Sequence, residues 1–220
     1  MTTLRDQTNA QFAKLQQSKP VFAGQIESLL AKARDFGDGK DAIAVGQPAP
    51  DFVLPSAKGE SIELSALLAG GPVVIVFYRG SWCPYCNLQL RAMQDRLADI
   101  ENLGGQLVAV SPEVPDESLS LIEKEELVFT VLSDKDALIA AQYGVAWEVP
   151  ELILDHMRDD RGLDLTKIND GNGTVLPIPA TFVVSTDGIV AWQHVNVDYR
   201  HRAEPDDVIA ALRELIRLQD

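Results

Sequence analysis

Cysteine is scarce in this chain of 220 residues, which contains only two. Two cysteines are too few for a disulfide framework, and a chain of this length buries enough apolar surface to fold without one. The two cysteines, Cys83 and Cys86, are three positions apart. This spacing predicts that their role is chemical rather than structural.

Basic residues are also few. Lysine and arginine together number 19, against 33 aspartates and glutamates, so the formal net charge is −14. A surface of this charge repels nucleic-acid phosphates and anionic lipid headgroups. We therefore expect neither a nucleic-acid partner nor a membrane partner.

Long apolar runs are missing. The longest, residues 73–78, is far shorter than the roughly 18 residues that a membrane-spanning helix needs. The N-terminal sequence MTTLRDQTNAQF has no basic segment leading into an apolar stretch, and therefore does not resemble a secretory signal. A composition of 46% hydrophobic and 24% charged residues is typical of a globular protein, and we expect it in the cytoplasm.

Apolar residues recur at helical spacing in residues 2–36, and the pattern predicts two amphipathic helices that are separated at Pro20. A Gly/Asp-rich linker at 37–41 follows. We therefore divide the chain into a helical N-terminal extension, 1–44, and a domain, 45–220. Because that domain does not need the apolar faces of the extension for its own core, we expect them to form a homodimer interface.

Strand and helix patterns alternate through the domain, which predicts an α/β fold with parallel βαβ units. The predicted strands are 51–54 and 61–64 (a hairpin), 73–78 (central), 107–111, 129–132, and a second hairpin of 181–185 and 189–194. The predicted helices are 84–100, 117–125, 136–143 and a last helix from Pro205. Between them, residues 147–179 are interpreted as an irregular insertion beside the functional site.

The candidate site is Cys-Pro-Tyr-Cys, residues 83–86, between the predicted central strand and the next helix. Pro84 suits the first position of a helix, which places Cys83 at the helix N-terminus, where free N–H groups and the helix dipole stabilise a thiolate. Cys86 lies one turn further on the buried face. We assign Cys83 as the nucleophile and Cys86 as the resolving thiol.

Two other interpretations of the cysteines were weighed. A zinc site would need two further ligands from His156, His194 or His201, and no second pair of ligands has the required spacing. The cysteines could also be inert core residues. We favour redox chemistry and expect no metal and no cofactor.

Four segments around the cysteine pair are similar to the alkyl hydroperoxide reductase and thiol-specific antioxidant (peroxiredoxin-like) family of the thioredoxin superfamily. They are VGQPAPDF (45–52), VFTVLSD (128–134), YGV (143–145) and PATFVVSTDG (179–188). The resemblance covers about residues 45–215. It implies a thioredoxin-like fold, with a central mixed β-sheet flanked by helices, and a thiol peroxidase that is regenerated by thioredoxin or glutathione.

The chain departs from this family at two positions. Peroxiredoxins usually carry Thr three residues before the reactive Cys, where this chain has Gly80, and Arg just before the Ala-Thr-Phe strand, where it has Pro179. By resemblance to thioredoxin-like disulfide reductases, Pro179 is expected to be cis and to hold a substrate disulfide beside Cys83. Arg79 and Trp82 are further candidates for substrate binding, Arg79 by lowering the pKa of Cys83 or holding a peroxide oxygen.

The resulting hypothesis is a thiol-dependent peroxidase that reduces hydrogen peroxide or organic hydroperoxides through a Cys83/Cys86 dithiol–disulfide cycle. One alternative is a thioredoxin- or glutaredoxin-like protein disulfide reductase that acts on small or protein disulfides. Another is a redox-sensing scaffold whose partner docks on the N-terminal helices. The basic cluster at 198–202 is interpreted as a flank of the last helix.

Overall fold

The computed structural model describes residues 2–36, 39–115, 126–171 and 173–219. The predicted helix 117–125 lies outside these residues. The helices are α1 (Leu4–Ser18), α2 (Pro20–Phe36), α3 (Leu64–Leu68), α4 (Pro84–Asp95), α5 (Leu97–Glu101), α6 (Leu138–Gln142), α7 (Glu151–Asp155), α8 (Leu165–Asn169) and α9 (Pro205–Gln219). The strands are β1 (Val53–Pro55), β2 (Ser61–Glu63), β3 (Val73–Phe77), β4 (Gln106–Ser111), β5 (Thr130–Ser133), β6 (Ala146–Glu148), β7 (Val175–Pro177), β8 (Ala180–Val184) and β9 (Val190–Val195). Within the described residues, no helix is both long enough and apolar enough to cross a bilayer.

The main sheet has five strands in the order β5-β4-β3-β8-β9 within the described part of the chain. Strand β3 pairs in parallel with β4 and antiparallel with β8, so the sheet is mixed. Every residue of β3 is buried, as expected for a continuous apolar, largely β-branched run that is covered on both faces. The predicted central strand and mixed sheet are confirmed.

Alternate residues of β3 point to the two faces of the sheet. Val74 and Val76 contribute to a core with α4 and α9, whereas Val73, Ile75 and Phe77 contribute to a core with α3 and α6. Since the cysteine pair follows β3 directly, it lies at the end of the most buried strand and against the first of these cores.

The N-terminal helices pack on this first core. Helices α1 and α2 are separated at Pro20, as predicted, and α1 packs on α4. Ile26 and Leu30 of α2 are completely buried in the same cluster as Cys83 and Cys86. The apolar faces assigned to a homodimer interface are therefore covered by the chain itself, and this argument for a dimer is wrong.

Three predicted elements need correction. The helix predicted at 84–100 is divided at Arg96, whose backbone is not helical. The helix 136–143 begins only at Leu138, because Asp136 and Ala137, in the turn Lys135–Ala137 before it, have positive φ values of 60° and 56°. The insertion 147–179 is not irregular, since it holds α7, a π-helical turn (His156–Asp160), α8 and β7, and β7 pairs with β6. These elements have three to five residues each, too short to show a period.

Candidate active site

Cys83 occupies the N-cap position of α4, with Pro84 as the first helical residue. Its backbone is extended (φ −91°, ψ 112°), and its carbonyl accepts hydrogen bonds from the N–H groups of Cys86 and Asn87. The thiol therefore lies beside the positive end of the helix dipole. Only 2% of the residue is exposed to bulk solvent.

Cys86 lies one turn into α4 and is completely buried. Both cysteines are free thiols. The Sγ of Cys86 accepts two hydrogen bonds, each 3.4 Å long, from the backbone N–H of Arg79 and from Nη2 of Arg202. The Cys86 sulfur therefore faces the charged guanidinium of Arg202 and the backbone N–H of Arg79.

The pKa values of the two thiols are shifted in opposite directions. Burial raises the pKa of Cys83, but a hydrogen bond from Cys86 and the charges of Arg79 and Arg202 outweigh it, and the pKa falls well below its ordinary value. Burial, and then the hydrogen bond and charge of Cys83, raise the pKa of Cys86 well above its ordinary value. The arrangement therefore favours a Cys83 thiolate that is hydrogen-bonded to a Cys86 thiol.

Arg202 is the main site residue that the sequence did not identify. Its buried guanidinium donates from Nη1 to Oε1 of Gln89 (2.7 Å) and from Nε to the carbonyl of Tyr199 (2.7 Å), in addition to Cys86. Gln89 in turn donates to Oγ1 of Thr181 on β8 (3.2 Å). The cluster 198–202 does flank the last helix, but the fold turns Arg202 inward. The sequence signal that could have pointed to Arg202 is its place in a basic cluster within an acidic chain.

Arg79 is buried between two aromatic rings. Its Cζ atom lies 5.1 Å from the ring centroid of Trp82 and 4.4 Å from that of Tyr199, so both contacts are cation–π interactions. Its Nε atom is buried and has no hydrogen-bond partner within the described residues. The positive charge of Arg79 lies near Cys83, whose pKa it lowers.

Gly80 explains the departure from the usual Thr of peroxiredoxins. Its φ is +145°, and a Cβ at this position would lie 2.3 Å from Nε1 of Trp82 and 2.9 Å from Oε1 of Glu113. The next residue, Ser81, donates to Oε1 of Glu113 (2.7 Å). A threonine at position 80 would therefore displace the Trp82 indole, which packs on Arg79.

A cavity of about 630 Å³ adjoins Cys83. Its walls come from the 79–87 segment, from α1 and α2, and from residues 153–163, with Tyr199 completing them. Arg79 and Trp82, both predicted as substrate-binding residues, line it. The prediction that the insertion lies beside the site is confirmed.

Pro179 does not behave as predicted. Within the described residues there is no cis peptide bond, so Ile178–Pro179 is trans, and the described residues that line the cavity do not include Pro179. The N–H of Ile178 donates to the carbonyl of Val145 (2.7 Å), and β8 begins at Ala180. The chain leads directly into β8 at this point, and the favoured trans isomer is compatible with that path.

The three histidines lie in separate parts of the chain. His156 lines the cavity, stacked on Phe22. His194 is on β9 and His201 precedes α9. The described residues contain no group of three or more His, Cys, Asp or Glu side chains that could hold a metal ion, and they therefore provide no zinc-ligand set around the two cysteines.

Known proteins that are similar to this chain include several peroxiredoxins. The peroxiredoxin Bcp of Escherichia coli is 27% identical over 172 residues, which cover 78% of this chain and 97% of that protein. Peroxidoxin BcpB of Mycobacterium tuberculosis has a similar structure (TM-score 0.62, 24% identity, 79% of this chain and 98% of that one). A peroxiredoxin 6 of Arenicola marina also does (TM-score 0.65, 14% identity, 81% of this chain and 76% of that one). The profile of the AhpC/TSA family matches residues 45–193, and the chain belongs to this family of the thioredoxin superfamily.

Proposed function

We propose that the protein is a thiol-dependent peroxidase in which Cys83 is the peroxidatic cysteine and Cys86 the resolving cysteine. The observation that carries this proposal is the asymmetry of the pair, since the pKa of Cys83 is lowered and that of Cys86 is raised within one helical turn. A thiolate is the reactive form of cysteine toward peroxide. Family membership favours the same chemistry.

The first half of the cycle oxidises Cys83. Its thiolate attacks one oxygen of the peroxide, so that an S–O bond forms, the O–O bond breaks, and water or an alcohol leaves with a proton. Cys83 becomes a sulfenic acid. The guanidinium of Arg79, a residue that lines the cavity beside Cys83, is proposed to bind a peroxide oxygen and to favour the negative charge on the leaving oxygen.

The second half closes the disulfide. The Cys86 sulfur attacks the sulfur of the Cys83 sulfenic acid, an S–S bond forms, the S–O bond breaks and water leaves. Because the two side chains are already hydrogen-bonded, neither needs to travel far. An external dithiol, or two glutathione molecules in succession, then supplies two electrons and two protons, and Arg202 stabilises the thiolate that Cys86 becomes as it leaves.

The reductant is proposed to be thioredoxin or glutathione, and the location the cytoplasm, where a reducing pool keeps such thiols available. A protein disulfide reductase is the less favoured function, because membership of the AhpC/TSA family favours peroxide as the oxidant. Cellular fractionation checks the location.

A coupled assay tests the proposal. We expect the full chain to consume hydrogen peroxide or an organic hydroperoxide with either thioredoxin or glutathione as reductant, and to reduce a small disulfide poorly. Cys83→Ser should abolish turnover, and Cys86→Ser should complete a single round and stop as a sulfenic acid or mixed disulfide. Rapid disulfide reduction without peroxide consumption would establish the alternative function instead.

A further inference from the structure

The cavity beside Cys83 is far larger than a small peroxide needs. It measures about 630 Å³, whereas a water molecule occupies roughly 30 Å³ and hydrogen peroxide little more. Cavities of this size usually hold a small organic molecule. Since Cys83 is otherwise buried, a substrate reaches its sulfur through this space.

The cavity wall is largely apolar, and three of its aliphatic and aromatic side chains come from the N-terminal helices. Those of α1 and α2 are Leu15, Phe22 and Ile26, and they lie with Ile153, Met157 and Leu163 of the insertion. No acidic side chain lines it within the described residues, although the chain carries a net charge of −14.

The two apolar walls are held together by specific contacts. The ring of Phe22 stacks on that of His156, with centroids 3.9 Å apart. His156 Nδ1 lies 2.6 Å from Oδ2 of Asp160, and Lys19 Nζ lies 3.0 Å from the same oxygen. These bridges join the start of α2 to the π-helical turn, so the pocket is a built feature of the fold.

We propose that the N-terminal helical pair, which lies outside the family match at 45–193, determines specificity by forming a pocket for hydroperoxides that carry a bulky apolar group. Such a group would occupy the space between Leu15, Phe22 and Met157 while its O–O bond lies at Cys83 and Arg79. Hydrogen peroxide would gain nothing from these walls. This inference rests on the proposed peroxidase function.

Kinetics with two peroxides test the pocket. With dithiothreitol as reductant, we expect kcat/KM for cumene hydroperoxide to exceed that for hydrogen peroxide by about tenfold or more. Leu15→Trp fills the pocket and should lower kcat/KM for cumene hydroperoxide by about tenfold, mainly through KM. Phe22→Ala removes one wall and should act in the same direction. For both variants the loss should be larger for cumene hydroperoxide than for hydrogen peroxide, so that the ratio of the two kcat/KM values falls.

Matched controls lie next to each position. Gln16→Trp on α1 and Val21→Ala on α2 change exposed side chains that do not line the cavity, and should leave both rates unchanged. Equal losses of kcat/KM for the two peroxides, or no preference for cumene hydroperoxide in the parent, would contradict the proposed pocket but not the proposed peroxidase activity. If the parent consumes no peroxide, the proposed function itself fails. Circular dichroism confirms folding, and Phe22→Ala decides the matter if Leu15→Trp does not fold.

Discussion

At the scale of single residues, the acidity of Cys83 depends on its neighbours. Burial alone would raise its pKa, and the hydrogen bond from Cys86 with the charges of Arg79 and Arg202 reverses that effect. The helix N-terminus was visible in the sequence, whereas the hydrogen bond and Arg202 were not. The site is therefore better described as a Cys-Arg cluster than as a cysteine pair alone.

The pH dependence of alkylation tests this description. Because the thiolate is the reactive form, labelling of Cys83 by limiting iodoacetamide should rise with pH to a midpoint well below that of an ordinary cysteine. Cys86 should stay unlabelled in the folded protein. Cys86→Ala removes the hydrogen bond and should move the midpoint to higher pH, whereas Cys86→Ser keeps a donor and should move it less. Preferential labelling of Cys86 would reverse the two assignments.

Arg202 is expected to be a positioning residue for Cys86. Replacing it with Met leaves Oε1 of Gln89 and the carbonyl of Tyr199 without their donors, which should destabilise the fold by about 1–3 kcal/mol. It should also raise the pKa of Cys83, read from the ultraviolet absorbance of the thiolate. Arg202→Lys restores the charge and should recover part of the pKa shift. If the pKa of Cys83 is unchanged in Arg202→Met, Arg202 contributes to packing and not to the acidity of Cys83.

Gly80 is predicted to be intolerant of a side chain. Gly80→Ala places a methyl group against Trp82 and Glu113 at φ +145°, and should cost about 1–3 kcal/mol and alter tryptophan fluorescence. Gly24→Ala in the middle of α2 meets no atom within 4 Å and should instead stabilise the protein by about 0.5–1 kcal/mol. Urea denaturation measures both. Equal effects would show that the Trp82 contact is not the cause.

At the scale of elements, the loop before α9 joins the N-terminal helices to the site. Asp198 accepts hydrogen bonds from Arg34 of α2 (3.1 Å) and from Arg200 (2.7 Å), and the carboxylate of Glu204 accepts from the N–H groups of Leu4 and Arg5. Arg202 lies within this loop. Helices α1 and α2 therefore support the loop that brings Arg202 to Cys86.

The Asp198 carboxylate should make this junction sensitive to acid. Burial raises its pKa, but the hydrogen bond and charge of Arg200, with help from His201, hold it below the ordinary value. A lowered pKa in the folded state gives stability that is complete above the unfolded value and is lost as pH falls through the folded value. Asp198→Asn should lose about 2 kcal/mol at neutral pH and show a shallower acid dependence in urea titrations. If stability falls with acid as steeply in Asp198→Asn as in the parent, Asp198 is not the group responsible for the acid sensitivity.

At the scale of the whole molecule, the homodimer expected from the sequence remains a prediction without its original argument. The faces that carried it are used inside the chain, where Ile26 and Leu30 are buried. Light scattering decides the question, since one chain has a mass of 24.0 kDa. Twice that mass would require an interface elsewhere on the surface, and a mass of one chain would end the prediction.

The sequence by itself determined the elements whose signals are local. The buried strand at 73–77, the break at Pro20, the start of α4 at Pro84 and the hairpin before α9 depend on side-chain period, proline and glycine, which are read directly from the chain. The order of acidity of the two thiols was predicted from the same signals, although part of its cause, the charge of Arg202, comes from a distant segment.

The tertiary structure decided what depends on residues distant in sequence. Arg202 meets Cys86 across 116 positions, and Phe22 meets His156 only after α2 folds over the site. The trans bond at Pro179 and the burial of α2 likewise depend on what each segment packs against. An apolar face shows that something must cover it but not what does, because burial is a property of the packed chain rather than of a segment.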